Sequence, residues 1–205
     1  MSSRDGPDPA QLLRLARSDP GNALGPLLEH YRGYLGLLAR VQIGRRLQRK
    51  VEAADLVQET FLEAHRNFGR FEGTTEGEFI RWLRQILAAN LARTLRRFLG
   101  TKRRDIRLER ELQAQLDESS RMLDGGLAAG SSSPSQRAIH REQAILLADA
   151  LGRLPEAYRE VIILRHLEGL SFPEVARRMG RSLDSVKNIW TRALGRLRRS
   201  LGEES

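Results

Sequence analysis

Apolar residues recur along this chain at three- and four-residue intervals, and nowhere alternate with polar ones as a half-buried strand requires. Asp8 before Pro9 reads as an N-cap with proline in the first turn, opening a helix through Arg17. Asp19-Pro20-Gly21-Asn22 is turn chemistry and predicts where that helix stops. Leu24, Leu27, Leu28, Tyr31, Leu35 and Leu38 then share one face of a second helix, which Gly33 and Gly36 weaken from within. A third helix is predicted from about Glu52 to Phe68, with Ala54, Val57, Phe61, Ala64 and Phe68 inward. The segment Gly69 to Gly77 reads as a loop. A long helix from about Glu78 to Leu99 follows, with Ile80, Leu83, Leu87, Leu91 and Phe98 clustered on one arc.

Beyond residue 100 the pattern fails. An alternating-charge stretch, compatible with a helix but without a clean apolar stripe, leads into LDGGLAAGSSSPS, a glycine-, serine- and alanine-rich run with no means of burying a core. Helical spacing resumes near Arg137, where Ile139, Leu146, Leu147, Ala150 and Leu151 form an inner face. Leu154-Pro155 breaks this helix; Tyr158, Val161 and Ile162 continue in another, with Gly169 as its closing residue. The fold class is therefore all-α: two small helical domains, 1–100 and 137–205, joined by a flexible linker at 101–136.

Composition narrows the partners. Lys and Arg number 35 against 26 Asp and Glu, a formal charge of +9 that favours a polyanion. The absence of cysteine excludes disulfides, thiolate zinc sites and cysteine nucleophiles together. Residues Met1 to Pro9 hold no apolar signal segment, and windows such as Leu35 to Ala39 are too short to cross a bilayer. No membrane insertion and a cytoplasmic location are expected.

Two constellations carry chemistry. Ser171 and Glu174 have capping-box spacing, opening a short helix with Val175, Ala176 and Met179, closed by Gly180. Ser182 caps a longer helix whose apolar residues are Val186, Ile189, Trp190, Ala193, Leu197 and Leu201. So short a connection forces the helices to cross steeply, as in a helix-turn-helix. The opposite face of the second helix presents Asp184, Lys187, Asn188, Thr191 and Arg192, flanked by Ser182 and Ser185. These side chains suit base edges and phosphates in a major groove, and Arg196, Arg198 and Arg199 add charge beyond them.

The second constellation lies in the N-terminal half. Asp55, Gln58 and Glu59 share a face, which could be no more than a solvated complement to the helix dipole. On the long helix, Trp82 falls about 145° from the centre of the apolar arc, beside Arg93 and Arg96. Tryptophan among arginines suits an unstacked base, although packing against a neighbouring helix would equally account for it.

With these residues in place, the chain resembles the extracytoplasmic-function (ECF) sigma factors, small bacterial subunits that lend promoter specificity to RNA polymerase. DLVQETFLEAHRNFGRF, Asp55 to Phe71, resembles the segment that docks on the clamp helices of the polymerase largest subunit. That implies polymerase contacts at Asp55, Gln58 and Glu59. FIRWLRQILAANLARTLRR, Phe79 to Arg97, resembles the element that captures and melts the promoter −10 region, implying roles for Arg81, Trp82, Arg84, Asn90, Arg93, Arg96 and Arg97. By the same resemblance the loop Gly73 to Gly77 sits beside a flipped base. The C-terminal segment is similar to region 4, which reads the −35 element, implying contacts at Ser182, Asp184, Ser185, Lys187, Asn188, Thr191 and Arg192.

The implied partners are core RNA polymerase (clamp helices and flap), promoter DNA and, as is common in that family, an anti-sigma factor. No cofactor or metal is implied. An enzyme is not expected, because His30, His65, His140 and His166 lack metal-ligand spacing and no nucleophile elbow is present. The alternative is a stand-alone helix-turn-helix regulator. It leaves the Asp55 face and the Trp82 helix without a task.

Overall fold

The computed structural model describes residues 8–46, 51–99, 106–123 and 133–202. The glycine-rich part of the expected linker and the extreme N-terminus lie outside them. Asp8 caps α1 (Pro9–Ser18) as its pattern predicts, its carboxylate accepting from the Ala10 amide at 3.2 Å. Asp19 is all that separates α1 from α2 (Pro20–His30): it ends one helix and caps the next, accepting from Asn22. The expected turn through Asn22 is thus one residue long, since Pro20 occupies a helical first turn, where its missing N–H costs nothing.

The second helix of the sequence reading is two. Tyr31 interrupts it, and α3 (Arg32–Arg46) continues beyond. The burial of Leu24, Leu27, Leu28, Tyr31, Leu35 and Leu38 survives the break, because a bend at one residue leaves both faces turned inward. In α4 (Ala53–Asn67) the inward register differs by one position: Ala53, Leu56, Val57, Phe61 and Ala64 are buried, while Ala54 faces solvent.

A 3-10 turn at Phe68–Arg70 and an extended stretch lead into α5 (Glu76–Leu99). Its buried set is wider than one arc, including Phe79, Ile86, Ala88, Ala92 and Leu95, whereas Phe98 is half exposed. The cause is α6 (Ile106–Leu123), which packs on α5 and α3. Residues 106–123 of the 101–136 segment are thus helical and packed. Leu112, Leu116 and Leu123 form the apolar stripe that charged neighbours obscure in the sequence, and buried Ser119 and Ser120 complete that face. The Tyr34 hydroxyl donates to Ser120 Oγ at 2.8 Å inside the contact.

The C-terminal unit begins earlier than expected, with Ser133 capping α7 (Pro134–Gly152) and Gln136 bonding back to the Ser133 amide. Ile139 is exposed, while Ala150 and Leu151 are buried as expected, joined by Ala144, Ile145 and Ala148. Helix α8 (Glu156–Ile162) runs into a wider π-type turn at Ile163–Leu167, then Gly169 at φ 72°. Helices α9 (Phe172–Met179) and α10 (Leu183–Gly202) follow. Among the described residues no strand occurs.

The two units touch. α7 lies along α3, and Arg141 of α7 pairs at 3.0 Å with Glu76 at the start of α5. Glu76 also accepts the Tyr31 hydroxyl at 2.9 Å, and burial with this carboxylate pushes the phenol far above its ordinary range, so Tyr31 remains a donor. The absence of a side chain at position 33 makes room for the Asp149 carboxylate of α7, which a Cβ there would push aside.

Candidate nucleic-acid interface

The helix-turn-helix forms as its residues predict. The Glu174 carboxylate accepts from the Ser171 amide at 2.7 Å and hydroxyl at 2.6 Å, and these bonds hold it below the usual carboxylate range. At the other end Gly180 takes φ 62°, and the Arg181 amide returns to the Ala176 carbonyl at 3.0 Å. Only glycine adopts that left-handed conformation without steric cost, so α9 stops there and the chain turns at once. Ser182 then caps α10, its hydroxyl accepting from Ser185 N–H at 3.3 Å.

α10 divides cleanly into two faces. Val186, Ala193 and Leu197 are buried against the unit, while Asp184, Lys187, Asn188, Thr191 and Arg192 are all exposed along the opposite side. Ser185 is half-buried at the border. With Arg196, Arg198 and Arg199 also exposed, the row presents short hydrogen-bonding side chains flanked by positive charge.

Trp190 sits on the flank of this helix. Its indole N–H donates to His166 Nε2 at 3.0 Å, and its ring meets Phe172 edge-on with centroids 5.3 Å apart. Burial, and secondarily the charge of Arg165, hold the His166 imidazole below its ordinary value of 6.5. The folded state thus favours neutral His166, the form able to accept the indole proton. The stability this contributes is present above that ordinary value and is lost as pH falls through the lowered one. We expect the Trp190 indole N–H resonance to shift on acidification below about pH 6.5 and to lose that titration in His166→Ala. A resonance that titrates equally in the variant would show that another group is responsible.

The basic helix of the N-terminal unit is rearranged relative to its helical wheel. Arg81, Arg93 and Arg97 are exposed, and Gln85 joins them on the same slowly drifting strip. Asn90 does not belong to that surface. It is wholly buried, donating to Thr60 Oγ1 of α4 at 3.3 Å and accepting from Arg93 Nη1 at 2.9 Å. Arg84 is held by α6: its Nε donates to Asp117 at 2.8 Å, and Nη1 reaches Tyr34 and Ser120 at 3.2 Å each. Arg96 pairs with Glu109 of α6 at 3.3 Å. Among the residues that the resemblance implies for −10 contact, these three are engaged inside the bundle, with partners on α3, α4, α5 and α6.

Trp82 is half-buried rather than free. Its ring centroid lies 4.9 Å from Phe71, 5.7 Å from Phe79 and 6.4 Å from Phe68, forming an aromatic cluster beneath the loop that precedes α5. The loop itself is closed by Glu78, whose carboxylate accepts from the Thr75 hydroxyl at 2.8 Å and from the Thr74 and Thr75 amides at 2.9 Å each. These bonds, the hydroxyl's foremost, hold the Glu78 carboxyl below its ordinary value.

On α4, Asp55 and Gln58 are exposed and Glu59 partly so. Asp55 stands in the first turn, where the helix dipole favours it. The structure adds a residue that the sequence reading passed over: Leu62, 49% exposed, stands one turn beyond Gln58 and Glu59. Its i+3 and i+4 spacing from that pair was the available signal.

A capped helix-turn-helix with an exposed polar and basic row, attached to a helical bundle with a basic helix, is the architecture of an all-α DNA-binding protein. Comparison with known proteins agrees. The Sigma-70 region 2 family matches residues 29–100, and the Sigma-70, region 4 family matches residues 144–197. RNA polymerase sigma factor CarQ of Myxococcus xanthus is 34% identical over 166 residues, 80% of this chain and 84% of CarQ. RNA polymerase sigma factor CnrH of Cupriavidus metallidurans is 30% identical over 201 residues, 97% and 98% of the respective chains. The ECF RNA polymerase sigma factor BldN of Streptomyces coelicolor is 29% identical over 196 residues, 95% of this chain but 66% of BldN. The chain belongs to the ECF family of RNA polymerase sigma factors and directs promoter-specific transcription.

Proposed function

We propose a division of labour among three surfaces of this sigma factor. The Asp55, Gln58 and Glu59 face, with Leu62 at its edge, docks on the clamp helices of core polymerase. The exposed strip of α5 and the aromatic-backed loop before it hold the opened −10 strand. The Asp184, Lys187, Asn188, Thr191 and Arg192 row of α10 reads the −35 duplex.

The observation that carries this reading is the complete exposure of the α10 row beside a buried opposite face. A helix so divided, set behind a left-handed glycine turn, can enter a major groove without disturbing its own core. Melting draws on binding: bases that leave the stack are held by arginines and aromatic rings, and no nucleotide hydrolysis is required. Arg81, Arg93 and Arg97 are the strand contacts in this scheme. Trp82 acts as the floor of the loop, with Arg84, Asn90 and Arg96 behind the surface. The protein works in the cytoplasm, where its polymerase is, and as a non-enzymatic subunit. An anti-sigma partner, common in the ECF family, belongs to the proposal.

Run-off transcription with purified core polymerase on a pool of random promoters tests the reading. Enrichment of templates sharing two spaced elements is expected. Failure to bind core or to start transcripts would leave only the stand-alone helix-turn-helix regulator, for which no observation outside α9 and α10 speaks. Within the scheme, Trp82→Ala is expected to keep most closed-complex binding while impairing strand opening. Equal loss of both would reduce Trp82 to a packing residue.

A further inference from the structure

Helix α1 lies before the residues matched by the region 2 family, which begin at position 29. One of its side chains nevertheless reaches the loop ahead of α5. The Arg17 guanidinium donates through Nη2 to the Gly73 carbonyl, and its carbon stands 5.9 Å from the centroid of the Phe71 ring. Phe71 in turn lies against Trp82 and Phe79. Arg17 thus touches both the backbone of the loop and a half-buried ring of the aromatic cluster beneath it.

The loop is built tightly around this contact. A Cβ on Gly73 would come within 2.5 Å of Phe71 Cζ and 2.8 Å of Glu78 Cβ, so only glycine leaves both in place. Glu78 ties down the next two residues from inside. The Gly73 carbonyl accepts from Arg17. Arg17 is itself exposed, so the contact does not serve to fill a core. A charged donor spanning 56 positions of sequence to one carbonyl has a local effect: it sets where that carbonyl and the adjacent ring stand.

We infer that Arg17 is a positioning residue for promoter opening, holding the Gly73 loop and the Phe71 ring in the shape that receives an unstacked base. The inference rests on the base-capture role proposed above for α5 and its loop. Arg17 does not contact the strand; it restricts the loop before the strand arrives, so that ordering is not charged against capture.

The test uses the full chain with core polymerase on a promoter recovered from the random pool. Arg17→Ala is expected to slow strand opening, read by permanganate-reactive thymines, about tenfold, the worth of one hydrogen bond to a charged group. Affinity for a single-stranded −10 oligonucleotide should fall in parallel. Core affinity and −35 duplex binding should stay within about twofold, as for an exposed substitution elsewhere. Arg17→Lys keeps one donor but not the flat group over Phe71, and should recover part of the loss. Gly73→Ala, which displaces Phe71 from the other side, should reproduce the pattern.

Wild-type opening by Arg17→Ala alongside impaired opening by Trp82→Ala overturns the inference and leaves base capture standing. Normal opening by both variants removes the base-capture reading with it. An equal decline in core binding, −35 binding and opening would mean that Arg17 only stabilises the fold, and would also overturn the inference.

Discussion

A chain cut after Leu99 is expected to lose its folded N-terminal unit, whereas one cut after Leu123 is expected to keep it. The difference is α6. It contributes Leu112, Leu116 and Leu123, all buried, each worth about 1.5–3 kcal/mol on removal from water. Without it Arg84 loses Asp117 and Ser120, and Tyr34 loses the hydroxyl that accepts its proton. These polar groups return to water when α6 is absent, so the leucines carry most of the difference. The total is comparable with the whole stability of a domain this size, about 5–15 kcal/mol. Circular dichroism and urea unfolding of the two fragments decide the matter, and a cooperative transition in the shorter one matching the longer would refute it. In the intact chain, Leu116→Ala should cost about 2–5 kcal/mol, the range for truncating a buried leucine.

The double variant Asp55→Arg with Glu59→Arg is expected to lower affinity for core polymerase at least about a hundredfold. Reversing charges at a complementary interface replaces attraction with repulsion and costs several kcal/mol. Asp55 is exposed and Glu59 partly so, hence the fold and the −35 duplex affinity should be unaffected. Leu62→Ala should weaken docking by about 1–2 kcal/mol, as expected of an exposed apolar side chain that becomes buried at an interface. Titration of labelled variants against core polymerase supplies the measurement. Unchanged affinity in the double variant would remove the docking assignment and leave the helix-dipole explanation of Asp55.

Legibility in the sequence varied with the span of the interaction involved. The capping glutamate of α9, the glycine turn and the division of α10 into buried and exposed faces were all readable, and the structure places them as expected. Each depends on residues within about four positions of one another. The break at Tyr31 was missed because its helical spacing continues unaltered across it. Helix α6 shows no clean apolar stripe in the sequence because charged residues surround its leucines, and the partners of those charges lie on α5.

The sequence by itself determined that this protein is helical and basic, that its C-terminal helices form a DNA-reading pair, and which five side chains face outward from the second. These follow from helical periodicity and cap chemistry, which act locally. Only the tertiary structure decided what the basic helix α5 does with its polar residues. Asn90 turns inward to Thr60, Arg84 and Arg96 engage α6, and Trp82 lies among three phenylalanines, so that Arg81, Arg93 and Arg97 remain at the surface. A helical wheel orders residues around one axis, but it cannot say how many neighbours pack against that axis or from which sides. With α4 and α6 both packed on α5, the buried arc widens past the apolar positions, and partners distant in sequence settle which side chains are left at the surface.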